Sequence, residues 1–98
     1  MATYIRFAHK AEKLVLKLDG ARERGEVATR VVAVTILDKG TGSFTLTFVF
    51  YDGTEILLDN TEVANGNTFR WDVERLLLTN AAQSGATLKL LTEIQVES

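Results

Sequence analysis

The chain has 98 residues, a net charge of −2, no cysteine and no proline. That length fits one domain near the lower limit for folding without staples. The absent thiols exclude disulfides, thiolate metal sites and cysteine nucleophiles.

The opening MATYIRFAHKAEK has neither the continuous apolar segment nor the cleavage site of a signal peptide. No apolar run anywhere approaches the ~20 residues of a membrane span. A soluble, non-membrane protein without a signal peptide is expected. Residues 1–10 read as an extended arm or an edge strand, with Tyr4–Phe7 as its ordered part. Leu14, Leu16 and Leu18 then alternate with Lys13, Val15 and Lys17, a strand pattern.

DGARERGE, bracketed by Gly20 and Gly25, reads as a turn. Val31–Leu37 is β-branched and apolar on both faces, which predicts a strand buried on both. After Gly40 and Gly42, Phe44–Tyr51 and Thr54–Leu58 flank Asp52-Gly53. That spacing predicts a hairpin closed by a type I′ turn. Its first strand puts Leu46, Phe48 and Phe50 on one face.

Residues 69–84 are ambiguous. As a helix, Phe69, Val73, Leu76, Leu77 and Asn80 share a face, with Thr68 as cap and Gly85 as terminator. As a strand, Phe69, Trp71 and Val73 alternate with Arg70, Asp72 and Glu74, and a β-bulge at Arg75 carries Leu76 and Leu78 inward. The strand is preferred, because a lone helix would leave Trp71 on its polar side. Leu88, Leu90, Thr92, Ile94 and Val96 mark a last, half-buried strand. The sum is a single all-β domain over residues 1–98, a small antiparallel β-sandwich or partly closed barrel of six or seven strands.

Charge is unevenly placed. Residues 1–30 hold seven basic side chains against four acidic ones, and the remainder holds four basic and nine acidic. Solvated surface charge is the plainest reading, contact with the acidic body of a neighbouring copy the next, and nucleic acid the least favoured.

No set of residues announces chemistry. His9 is the only histidine and sits in charged HKAEK near a terminus expected to be flexible, so it reads as solvated. Ser43, Ser84 and Ser98 have no histidine partner. Asp52 with Glu55, Asp59 with Glu62 and Asp72 with Glu74 read as turn and outer-face carboxylates rather than a glycosidase pair. Asp59–Asn67 gathers oxygen side chains without the EF-hand spacing, so turn chemistry outranks calcium. DKGTGS lacks the ending of a phosphate loop. No catalytic residue, metal ligand or cofactor is expected. Tyr51 and Trp71 are the candidates for an alternative reading, a carbohydrate-binding or adhesin-like module.

The segment FRWDVERLLLTNAAQSGATLKLLT (Phe69–Thr92) resembles a pattern in small structural proteins of tailed bacteriophages. An aromatic strand leads through Leu76–Leu78 to Thr79-Asn80, then Ala82-Gln83, Gly85 and Thr87-Leu88. The resemblance implies a β-hairpin at the edge of a virion module, such as a capsid decoration or tail-associated component, assembled in the host cytoplasm. It implies no catalytic residues. With it comes an expected interface in a homo-oligomer or with other virion proteins. Arg22, Arg24 and Arg30 would meet acids such as Asp59 and Glu62 of a neighbour. Val32, Leu76 and Leu78 would supply apolar contact, because a two-layer fold has only one inner face per sheet.

Overall fold

The computed structural model describes residues 7–97, which form seven strands and no helix. They are β1 (Phe7–Lys17), β2 (Arg22–Asp38), β3 (Thr45–Val49), β4 (Glu55–Asp59), β5 (Thr68–Phe69), β6 (Val73–Asn80) and β7 (Thr87–Glu97). No helix of the described residues is long and apolar enough to cross a membrane. Met1–Arg6, including Tyr4, lie outside the described residues. His9 lies within β1 opposite Gln95, so residues 7–10 are strand, continuous with Leu14 and Leu16.

All pairings are antiparallel, and the sheet runs β1-β7-β2-β6-β3-β4, with β5 beside β2. β2 organises it. Its first half pairs with β6 from Arg22↔Asn80 to Val31↔Val73, and its second half pairs with β7 from Val31↔Ile94 to Asp38↔Lys89. The register slips twice along each partner, between Arg22/Gly25 and Glu26/Ala28 on one side and between Val31/Ala33 and Ile36/Asp38 on the other. Such irregularities bend and twist a strand, and here they curl one sheet around one core. Leu88 and Leu90 of β7 therefore meet Leu46 and Phe48 of β3 and Leu76 and Leu78 of β6 in a single buried cluster.

The strand reading of residues 69–84 holds, but the bulge is not at Arg75. Arg75–Thr79 pair with Val49–Thr45 without a break, and the slips lie in β2. Arg24, with φ 51°, lies in the first of them, while Arg30, with φ 54°, sits between the in-register pairs Thr29↔Arg75 and Val31↔Val73. The expected β-hairpin over Phe69–Thr92 is also corrected. β6 and β7 are separated by β2 and never pair; Asn80 lies opposite the start of β2 and Lys89 opposite its end, so the two strands run parallel and loop 81–86 is a crossover between them.

The β3–β4 hairpin forms where the sequence placed it, from Thr45↔Asp59 to Val49↔Glu55. Its turn differs from type I′. Gly53 has φ 90° while Asp52 does not reach positive φ. Phe50 N–H donates to the Thr54 carbonyl at 2.8 Å and Gly53 N–H to that of Phe50 at 3.0 Å. This is the three-residue loop with glycine at the bulge.

The anticipated surplus of apolar surface is smaller than the sequence suggested. Leu76, Leu77 and Leu78 are all at most 2% exposed, and Val34 is 1% exposed. The chain encloses these residues itself, because the curled sheet gives β6 a core on one face and a covered outer side on the other. Val32 is half-buried and Leu37 is 40% exposed.

Candidate functional site

The three arginines expected at an interface have different fates. Arg22 is turned inward at the end of the sheet, where its Nη1 donates to the Lys17 carbonyl at 2.7 Å and to Asn80 Oδ1 at 3.1 Å. Arg24 forms a two-point bridge to Glu55, with both N···O distances at 2.9 Å, and its own N–H donates to Thr79 Oγ1. This bridge ties β2 to β4 across the outer side of β6 and β3. It holds the Glu55 carboxyl below, and the Arg24 guanidinium above, their ordinary values. Arg30 is exposed, and its side chain makes no hydrogen bond or ion pair among the described residues. Leu76 and Leu78 are wholly enclosed, so the contact expected of them is not on offer.

The acids named as their partners serve their own turn. Asp59 Oδ1 accepts from the N–H and hydroxyl of Thr61, and the Thr61 hydroxyl is the leading cause of its lowered pKa. Glu62 Oε1 accepts the Asp59 N–H at 3.1 Å, and Glu62 N–H returns a bond to the Asp59 carbonyl.

The oxygen-rich loop 59–67 already holds a cation, its own. Lys39 Nζ donates to the carbonyls of Asn60 and Val63, each at 3.0 Å. Asn60, Asn65 and Asn67 spend their side-chain oxygens on the N–H groups of Phe44, Lys39 and Ala64. Among the described residues no group of three or more histidine, aspartate or glutamate side chains is placed to hold a metal.

The aromatic candidates separate. Trp71 packs edge-on against Phe48 at 5.1 Å between ring centroids, and lies 5.2 Å from Phe69 and 6.0 Å from Phe50. It is therefore part of the core's rim. Tyr51 is 57% exposed at the hairpin tip. It borders an open cleft of about 400 Å³ with Phe50, Asp52, Thr54, Ile56 and Asp72. The Thr54 N–H and hydroxyl hold the Asp52 carboxyl there below its ordinary value.

The motif behind the phage resemblance has a clear structural role. Asn80 Nδ2 donates to the carbonyls of Gly20 and Ala81, both at 2.9 Å, with a longer approach to that of Leu18. Gln83 brackets the backbone of Ser43, donating to its carbonyl and accepting its N–H, both at 2.7 Å. Together they tie three chain reversals at one end of the sheet.

Sequence reasoning missed the two margins. Among the described residues the sheet stops at β1 on one side and β4 on the other, and neither strand has a second partner. Two of the exposed aliphatics, Val15 at 53% and Leu57 at 55%, sit one on each margin. The signal was present in KLVLK and EILLD, where an apolar residue on the outer face lies between charged ones. It needed the strand order to be meaningful. No protein-family model, curated protein or solved structure matches the chain.

Proposed function

We propose that this is a non-enzymatic structural protein of a bacteriophage particle, working through contacts with copies of itself or with other virion proteins. The observation that carries the reading is the open seven-stranded sheet, which among the described residues ends in two edge strands, each with one unpaired side and an exposed aliphatic residue. Unpaired edges are templates for strand addition, and exposed apolar side chains on them favour a partner. The resemblance over Phe69–Thr92 supplies the phage context. Its Asn80 and Gln83 act as fold-holding residues, in keeping with a scaffold. The carbohydrate-binding alternative is left with Tyr51, since Trp71 is packed among phenylalanines.

The test is mass spectrometry on gradient-purified particles from a culture expressing the gene at its native locus. The chain is expected in the particles in fixed ratio to their other proteins. Its absence from them, with the protein abundant in the unassembled fraction, overturns the reading.

A further inference from the structure

Compared residue by residue, the two free margins are complementary. Lys13-Leu-Val-Leu-Lys17 ends β1, and Glu55-Ile-Leu-Leu-Asp59 is the whole of β4. In each, the middle residue points outward with a charged residue two positions away on either side. The two intervening residues face the core. The outward set is Lys13, Val15 and Lys17 on one margin and Glu55, Leu57 and Asp59 on the other. The inward set, Leu14 and Leu16 with Ile56 and Leu58, packs on the core yet stays only half-buried.

The backbone agrees. Leu18 N–H donates to the Ala86 carbonyl, toward the β7 side. Residues two apart share that direction, so the even residues of β1 bond inward and Lys13, Val15 and Lys17 present theirs to the margin. In β4, Asn60 N–H and the Thr54 carbonyl both bond toward β3, so Glu55 and Leu57 also face outward. Set antiparallel with Val15 opposite Leu57, the strands match over five positions. Lys13 meets Asp59, Leu14 meets Leu58, Leu16 meets Ile56 and Lys17 meets Glu55.

We infer that β1 of one copy pairs with β4 of the next, joining copies head to tail into a continuous sheet. The inference rests on the assembly role proposed above and names its partner as a second copy of this chain. Like margins repel, since β1 against β1 sets lysine on lysine and β4 against β4 sets carboxylate on carboxylate. Like charges opposite one another destabilise a strand pair and opposite charges support it. A head-to-tail contact closes into a ring or continues as a filament. The contact is short. The Lys17 carbonyl already accepts from Arg22, and the Asp59 N–H and carbonyl are bonded to Glu62. Glu55 also keeps its bridge to Arg24. Such a small area gives weak, salt-sensitive association.

Sedimentation velocity on the full chain, from micromolar to millimolar concentration, tests this. The wild type is expected to grow in mean mass with concentration and to shrink on adding salt. Val15→Lys blocks one margin and Leu57→Lys the other, so each variant alone stays monomeric. Their equimolar mixture forms heterodimers and nothing larger. Val15→Arg serves as a second block on β1 should circular dichroism show Val15→Lys misfolded. A wild type that is monomeric throughout, a margin variant that self-associates, or a mixture that stays monomeric overturns the inference. Failure here with the chain present in particles leaves the virion reading standing. Head-to-tail assembly of a chain absent from particles removes the virion reading alone.

Discussion

Asn80 shows what a single polar side chain does in this fold. It is 6% exposed and receives Arg22 on its oxygen while its amide serves carbonyls of two separate loops. Truncation leaves those buried groups short of partners, at about 1–3 kcal/mol. Asn80→Ala is therefore expected to lower the urea midpoint by that much with an unchanged m-value. A shift within about 0.5 kcal/mol, the size of an ordinary surface change, contradicts the role assigned to it. The sequence displayed Asn80 as part of a motif but gave no reason for it, because its partners lie some sixty positions away at Leu18 and Gly20. Gly40 was similarly opaque. Its φ is 63°, and a Cβ there would stand 2.5 Å from the Thr87 carbonyl oxygen, a contact that exists only once β2 and β7 are side by side.

At the level of elements, much was legible where the pattern is local. The alternation in FTLTFVFY and the Asp-Gly beside it located β3 and β4, since a hairpin depends on neighbours in sequence. β7 followed from the period of Leu88, Leu90 and Thr92. β2 was only partly legible. Its apolar second half, Val31–Leu37, stood out, whereas RERGE, within DGARERGE, looked like a turn and is strand. The charged residues there face solvent along a half-covered stretch, and the two positive-φ arginines interrupt the alternation a reader would look for. Leu76–Leu78 misled in the opposite sense. Leucine on both faces suggested a missing partner, but a strand two places from β4 inside a curled sheet is covered on both.

The bend of β2 has its own consequence. Left-handed backbone costs a residue with a side chain roughly 1–2 kcal/mol, while glycine in a regular strand loses about 0.5–1 kcal/mol through its freedom in the unfolded chain. At Arg30, exposed and without a described partner, the first term is relieved. Arg30→Gly is expected to be neutral or to stabilise by up to about 1 kcal/mol, read from thermal or urea unfolding. A clear destabilisation contradicts the view that this residue is held in β2 by the bend alone. Arg24→Gly gains the same relief but loses the bridge to Glu55, so the two substitutions separate backbone from side-chain contributions.

The whole molecule is an open curl of sheet, 57 × 25 × 21 Å along its principal axes. Among the described residues its interior is closed and its margins are not. The strands at both ends are half-covered on the inner face and carry opposite charge on the outer one. Folding this sequence alone therefore leaves the job of covering the margins unfinished, and the simplest completion is the opposite margin of another copy. Amide hydrogen exchange by NMR at low and high protein concentration reads this directly. The N–H groups of Val15 and Leu57 should gain protection together as concentration rises, while Leu16 and Ile56, already bonded within the chain, stay unchanged. Protection at both that is independent of concentration, or a gain at only one of them, contradicts the account.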